Sequence, residues 1–243
     1  FLRTIWGRVR VLQSVKWTAL FDKIPERIQA LLVIGFGQKK FLIDKREKSA
    51  GWMHFFIFWG FTILGVRVQT AFAQGWFGLD FHLPLLGADM LGGPYLLLKD
   101  LIEVFVLVSI GYALVRWLII HPHRLYGFRP AEDRLAGQDH VAAIVILCCI
   151  GGIMLTDLAF EAGRYIAHAG VDHVELERKW TPVASTLAGV LPLSPSGANV
   201  LSEVGWWGHN LLILFMLNLL PPSKHLPTIT GLPTTLFRKP DPP

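Results

Sequence analysis

The chain has 243 residues, of which 52% are hydrophobic and only 17% are charged, and its mean hydropathy is +0.45. A soluble domain carries about 25% charged residues, so this composition excludes a disordered chain, a nucleic-acid-binding tail and most ordinary soluble folds. The net charge of +5 therefore bears on orientation in a membrane more than on an acidic partner.

Residues 1–50 are basic and contain eleven Lys and Arg residues. Their apolar stretches, 5–12 and 28–36, are too short to span a bilayer. We expect an interfacial amphipathic segment here. The alternative is a solvated linker that carries part of a preceding helix.

Four apolar runs of about twenty residues follow, and each covers most or all of a hydrocarbon core of roughly 30 Å. They lie at 50–73, 95–120, 140–162 and 204–220. Backbone groups in lipid must be paired within their own segment, so these runs are predicted to be helices. The sequence therefore predicts an all-α fold, a polytopic transmembrane helix bundle with four visible spans.

The distribution of Lys and Arg predicts the orientation. Eleven precede the first span, none lies in loop 74–94, and three lie in loop 121–139. Cytoplasmic loops are enriched in these residues. Both visible chain ends and loop 121–139 are therefore predicted to be cytoplasmic, and loops 74–94 and 163–203 to face outward.

Nine histidines are many for a membrane chain, and histidines at helix ends are natural axial ligands of haem iron. His54 and His225 lie near the cytoplasmic ends of the first and fourth runs, at the similar depth that a bis-histidine pair requires. His209 precedes His225 by sixteen residues, about 24 Å along a helix, so it would serve a second haem. The alternative is that all three form hydrogen bonds at the interface.

Charged residues inside apolar runs are candidates for function. Arg67 would pair with a haem propionate or extend outward to the interface. Lys99 and Glu103 have the spacing of an i,i+4 ion pair at the outer end of the second run.

Asp157 and Glu161 have the same spacing in the third run. As a like-charge pair, they would leave one carboxyl protonated, and this group would relay protons. The alternative is a cluster on the outer surface together with Arg164.

Aromatic residues surround His54 in the run GWMHFFIFWGF at 51–61, and WWGH at 206–209 precedes PSKHL at 222–226. These motifs resemble the nitrate reductase gamma-subunit-like membrane domain, and the resemblance covers roughly residues 30–240. The similar version is fused to cytoplasmic Fe–S domains in electron-transfer-flavoprotein:menaquinone oxidoreductases and heterodisulfide-reductase-like proteins. Members usually have one more span, so the resemblance implies a fifth span before residue 1.

The resemblance implies a b-type cytochrome with one or two haem b groups, ligated by His54, His209 and His225. It passes electrons between menaquinone and a cytoplasmic Fe–S protein or electron transfer flavoprotein, in a bacterial or archaeal cytoplasmic membrane. A lysine of the family binds quinone near the position of Lys99, and we add Glu103 as its neighbour. Fe–S clusters and flavin would belong to partner domains or chains.

Two positions depart from the family's pattern. Leu64, ten residues after His54, and Pro227, two residues after His225, stand where the family's pattern has haem ligands. They favour a rival function, a haem-free membrane anchor that docks a soluble redox partner through its basic face. A transporter is a third reading, but the broken mid-span helices of that class are not evident.

These interpretations divide the chain into three parts. Residues 1–49 would be a basic interfacial or cytoplasmic segment, and 50–222 a haem-binding transmembrane domain. Residues 223–243 would be a cytoplasmic tail that leads to an Fe–S domain or partner.

Overall fold

The structure, a computed structural model, describes residues 6, 23–43, 48–78, 81–84, 86, 91–120, 138–220 and 227–237. This part of the chain is helical and contains no strand, which confirms the all-α prediction for the residues described. Short π-helical turns at Leu31–Phe36 and Arg116–Ile120 each follow directly on an α-helix. In chain order the helices are α1 Ile24–Ala30, α2 Lys39–Ile43, α3 Lys48–Phe77, α4 Gly92–Val115, α5 Gln138–Ala167, α6 Asp172–Arg178, α7 Pro182–Val190, α8 Pro195–Leu219 and α9 Pro227–Leu236.

Within the described residues, four helices are long and apolar enough to cross a membrane, namely α3, α5, α8 and α4 with its π-helical turn. Large apolar side chains are exposed along them, among them Val108, Leu155 and Leu211. Their buried faces, in contrast, contain charged side chains. Apolar groups outside and polar groups inside are the arrangement expected when lipid is the solvent, and the predicted transmembrane bundle is confirmed.

The four spans occur in the predicted order, but they extend beyond their predicted bounds. α3 continues to Phe77 and α5 to Ala167, and α8 begins at Pro195 rather than at 204. The cause at α8 is a local N-cap: Ser194 Oγ accepts a hydrogen bond from Gly197 N at 3.3 Å, and Pro195 occupies the first turn. Much of the predicted loop 163–203 is therefore helical.

The chain divides into two compact units, one of residues 1–55 and 215–243 and one of residues 56–214. In the first unit, Arg27 Nη1 on α1 donates a hydrogen bond to Leu236 O on α9 at 3.3 Å. Gly35 gives the π-helical turn a close approach to Leu232 of α9. The segment 28–36, which was predicted to be interfacial, is helical. The domain limits expected at 49 and 222 stay a prediction.

In the second unit, α6 and α7 pack back onto α5. Asp100 on α4 fixes α7, because its carboxylate accepts hydrogen bonds from Val183 N at 2.6 Å and from Ala184 N at 3.1 Å. This satisfies two free amides at the N-terminus of α7. The apolar core between these helices consists of Leu158, Ala162, Tyr165, Val174, Ala184 and Ala188.

Candidate functional site

Charged side chains from four spans meet inside the second unit. Arg67 comes from α3, Asp157 and Glu161 come from α5, and α4 and α8 supply the others. Each of these six side chains belongs to a residue with at most 7% of its surface exposed. We call this set the buried ion cluster, and its members are Arg67, Lys99, Glu103, Asp157, Glu161 and His209.

Lys99 lies at the centre of the cluster and is completely buried. Its Nζ is 2.6 Å from Glu161 Oε1, 2.7 Å from Asp157 Oδ2 and 3.3 Å from Glu103 Oε1. An ammonium group has three protons to donate, and here three carboxylates surround it. The predicted i,i+4 pair of Lys99 and Glu103 is therefore confirmed, within a larger network.

Arg67 is the second cation of the cluster. Its Nε donates to Asp157 Oδ1 at 3.2 Å and its Nη1 to Gln74 Oε1 at 3.1 Å, while its guanidinium carbon lies 5.3 Å from the ring centre of Phe160. Gln74 Nε2 in turn donates to Phe81 O at 3.2 Å. Arg67 thus does not extend outward to the interface, the alternative that the sequence left open.

The cluster contains three carboxylates and two permanent cations. With His209 neutral and all carboxylates ionised, it has one excess negative charge. A net charge in a low-dielectric interior is costly, so the binding of one proton balances the cluster. The predicted surface cluster of Asp157 and Glu161 with Arg164 is not what the structure contains, because both carboxylates are buried.

His209 has one nitrogen engaged and one available. Its Nδ1 lies 3.1 Å from Ile153 O and 3.8 Å from Asp157 Oδ1. A carbonyl oxygen only accepts, so Nδ1 carries the proton and the lone pair of the neutral ring lies on Nε2. This Nε2 is buried and has no hydrogen-bond partner among the described residues. The same tautomer occurs in histidines that bind a metal through Nε2.

Glycines allow the close contact between α5 and α8 that places His209. A Cβ atom on Gly205 would lie 2.8 Å from Thr156 O, and a Cβ on Gly163 would meet the α8 backbone at 2.7 Å. Small residues are what allow membrane helices to approach this closely. His209 follows Gly205 by one turn, so its ring reaches Ile153 on α5.

A cavity of about 40 Å³ adjoins the cluster, and Arg67, Glu161 and Tyr95 lie in its wall. Its wall also includes Glu177 of α6 and His82 of segment 81–84. About one to three water molecules fit such a space. The cavity therefore connects the cluster with polar groups of α6.

A second ion pair stands across this cavity. Arg164 Nη1 donates to Glu177 Oε2 at 2.5 Å, and His82 Nε2 lies 3.6 Å from Glu177 Oε1. The His82 side chain is 33% exposed, whereas that of Glu177 is 6% exposed. His82 thus gives this pair a contact with the surface.

The structure brings together four of the six predicted site residues, namely Arg67, Lys99, Glu103 and His209. His54 lies in the first unit, where its ring centre is 5.3 Å from that of Phe41. His225 lies outside the described residues, so the predicted His54–His225 haem pair stays a prediction. Among the residues described, no group of three or more His, Cys, Asp or Glu is arranged to hold a metal ion.

Sequence reasoning missed Gln74, Tyr95 and Glu177, and it assigned no role to His82 in the predicted loop 74–94. A signal existed for Gln74, which follows Arg67 by seven residues and so lies on the same helical face. No local pattern marks Glu177, because α6 reaches the site only through its packing on α5.

Two curated proteins are similar to this chain in sequence. The probable iron-sulfur-binding oxidoreductase FadF of Bacillus subtilis is 31% identical over 229 residues, which cover 90% of this chain and 28% of that protein. The EtfAB:quinone oxidoreductase of Syntrophomonas wolfei is 22% identical over 230 residues, which cover 92% of this chain and 30% of that protein.

The chain therefore spans less than a third of the length of the curated relatives it matches. No family model matches it, and no solved structure matches it. The expected similarity to Fe–S and quinone oxidoreductases is found. The narrower resemblance to nitrate reductase gamma subunits stays a prediction.

Proposed function

We propose that the chain is the membrane module of a quinone-linked Fe–S oxidoreductase. It passes electrons between menaquinone and a cytoplasmic Fe–S protein or electron transfer flavoprotein. The buried ion cluster carries this proposal, because charged side chains within spans are costly and are typical of sites that handle ions, protons or polar ligands. The names of the two curated relatives support the class of reaction.

The cluster has the groups that a quinone needs. Reduction places two electrons and two protons on a quinone with two carbonyl oxygens, which must be polarised and then protonated. Lys99 is the proposed donor to one carbonyl, since its Nζ donates to Asp157 and Glu161, while its 3.3 Å contact with Glu103 Oε1 is not a hydrogen bond and leaves one proton to donate. Glu103 is the proposed neighbour, and neither of its carboxylate oxygens has a hydrogen-bond partner among the described residues.

Haem b is the proposed electron carrier, and His209 fits one axial position. Its Nδ1 is fixed by Ile153 O and its buried Nε2 lone pair is available. Haem iron held there would supply one-electron transfer. His54 and His225 are the proposed ligands of a haem nearer the cytoplasm. Arg67 already donates hydrogen bonds to Asp157 and Gln74. We therefore assign it to the buried ion cluster rather than to a pairing with a haem propionate.

The second candidate is a haem-free anchor that docks a redox partner. Leu64 favours it, because this side chain is only 4% exposed and packs as an apolar core residue where the resembled family has a histidine. The basic residues Lys39 and Lys48, both exposed, would then face the partner. Electron transfer to quinone would in that case use the partner's own centres.

One preparation of the full-length protein tests both candidates. We expect an α band of haem b in the dithionite-reduced spectrum, with one haem signal lost in His209→Ala. We also expect menaquinone-linked turnover to fall at least tenfold in Lys99→Ala, and to be unchanged in Lys179→Ala, which alters an exposed lysine after α6. A wild-type spectrum without an α band establishes the anchor, and undiminished turnover in Lys99→Ala places the quinone elsewhere.

A further inference from the structure

Quinone chemistry in the membrane interior requires a route for protons. We propose that Glu161, the adjoining cavity and the Glu177–His82 pair form a proton path between the buried ion cluster and the surface at segment 81–84 and α6. This inference rests on the proposed function. The reaction is Q + 2 e⁻ + 2 H⁺ ⇌ QH₂, where Q is the quinone; the Fe–S or flavin partner exchanges the electrons, and the path exchanges the protons.

Glu161 combines an unpartnered oxygen with a place in the cavity wall, which Glu103 lacks, so it is the carboxylate of the cluster that we assign to the path. Asp157 has a cation on each oxygen, Arg67 on Oδ1 and Lys99 on Oδ2, so its charge is fixed. Glu161 Oε1 faces Lys99, but its Oε2 is buried without a hydrogen-bond partner among the described residues. A proton on Oε2 would balance the excess negative charge of the cluster without breaking either cation contact of Asp157.

The cavity extends the route from Glu161. Glu161 is the carboxylate of the cluster that lines it, and Gln74 and Thr70 contribute further polar groups to its wall. Water is stable in a space of this size when two to four polar partners surround it. Hydrogen-bonded water can pass a proton across the gap between the two glutamates.

The path leaves the protein through Glu177 and His82. Arg164 holds Glu177 Oε2 at 2.5 Å, and the other oxygen, Oε1, has no hydrogen-bond partner among the described residues. His82 Nε2 lies 3.6 Å from this Oε1, and a third of the His82 side chain is exposed. An imidazole accepts a proton on one nitrogen and releases it from the other, so His82 can exchange protons with solvent.

Asp100 is buried and directly follows Lys99 in the sequence, but it does not belong to the path. Both of its oxygens accept amide hydrogen bonds from α7, so protonation would break a helix cap. Tyr165 Oη is likewise engaged, since Thr181 Oγ1 donates to it at 2.8 Å. Among the carboxylates with an unengaged oxygen, Glu161 and Glu177 line the cavity, whereas Glu103 does not.

The test is a stopped-flow experiment in which menadione reoxidises the dithionite-reduced full-length protein. The measured quantity is the rate at which the α band of the proposed haem b disappears. We expect Glu161→Gln to slow reoxidation at least tenfold and Glu177→Gln several-fold. Glu161→Asp, which keeps a carboxyl group, should be faster than Glu161→Gln. Glu203→Gln changes an exposed carboxylate on α8 and should match the wild type.

Azide separates proton transfer from a structural role, because this small weak acid can carry protons where a carboxyl group is missing. We expect azide to raise the reoxidation rates of Glu161→Gln and Glu177→Gln at least several-fold above their rates without azide. The rate of the wild type should not change. Wild-type rates in both variants, or slow rates that azide does not restore, overturn the path. If menadione does not reoxidise the wild type at all, the proposed function fails and the path with it.

Discussion

Asp157 and Glu161 lie one helical turn apart on α5 and both contact Lys99, yet their surroundings differ. Asp157 is held by a cation on each oxygen, at 3.2 Å from Arg67 Nε and 2.7 Å from Lys99 Nζ. Glu161 is held on one oxygen only. The proposed path therefore gives two carboxylates of nearly equal burial different roles, Asp157 as a fixed counter-ion and Glu161 as a group that gains and loses a proton.

Asp157→Asn tests the fixed counter-ion. The change keeps the shape of the side chain, and the two other carboxylates still balance the two cations, but it removes the carboxylate that contacts both Arg67 Nε and Lys99 Nζ. Breaking a buried ion pair in this way costs about 3–5 kcal/mol. We expect a loss of this size in the free energy of unfolding, measured by denaturant titration in detergent.

Glu203→Gln is the matched control for Asp157→Asn, because it neutralises an exposed acid. Its effect should stay within about 0.5 kcal/mol. A loss below about 1 kcal/mol in Asp157→Asn would mean that Asp157 is not the fixed counter-ion of the two cations.

At the scale of elements, the contact between α5 and α8 depends on glycine. Gly205 faces the α5 backbone, where an added Cβ would lie 2.8 Å from both Thr156 O and Phe160 Cα. Real Cβ atoms do not approach backbone this closely, so the helices would have to separate. Because His209 follows Gly205 by one turn, separation would also move the ring away from Ile153 O.

Gly205→Ala should therefore cost about 1–3 kcal/mol, the usual range for overpacking. Gly65→Ala on α3 is the control, since a Cβ there meets nothing within 4 Å and Ala is a better helix former than Gly. The same detergent unfolding assay compares them. Equal stability of the two variants would show that α5 and α8 do not depend on this contact.

Hydropathy was sufficient to predict the four spans. Unpaired backbone groups are costly in lipid, and a long apolar run pairs its own backbone groups by forming a helix. Hydropathy did not predict where α7 and α8 begin. Thr181-Pro182 and Ser194-Pro195 nevertheless have the N-cap and N1 residue types that start a helix. These signals were available in the sequence, and the polar and Gly/Pro-rich composition of the region concealed them.

The candidate site was predictable only where its contacts are local. The i,i+4 spacing gave the pair of Lys99 and Glu103, which the structure contains at 3.3 Å. Asp157 is 58 residues from Lys99 and 90 from Arg67. Contacts across such separations depend on how α3, α4 and α5 pack, and no periodicity within one helix encodes them.

At the scale of the whole molecule, the remaining question is which compartment the proton path faces. Val171 precedes α6, the helix that carries Glu177, and is 39% exposed. The predicted cytoplasmic loop 121–139 contains Ala131. The excess of Lys and Arg before the first span predicts that Ala131 lies in the cytoplasm and Val171 outside.

Cysteine labelling checks this orientation. In a background with Cys148→Ala and Cys149→Ala, an impermeant maleimide added to intact cells should label Val171→Cys and not Ala131→Cys. Inside-out membrane vesicles should give the reverse pattern. The same result locates the His82 end of the proton path, because α6 carries both Glu177 and, at its start, the Val171 label. Efficient labelling of Ala131→Cys from outside would show that the orientation is the reverse of the predicted one. The protons of the quinone would then be exchanged with the cytoplasm.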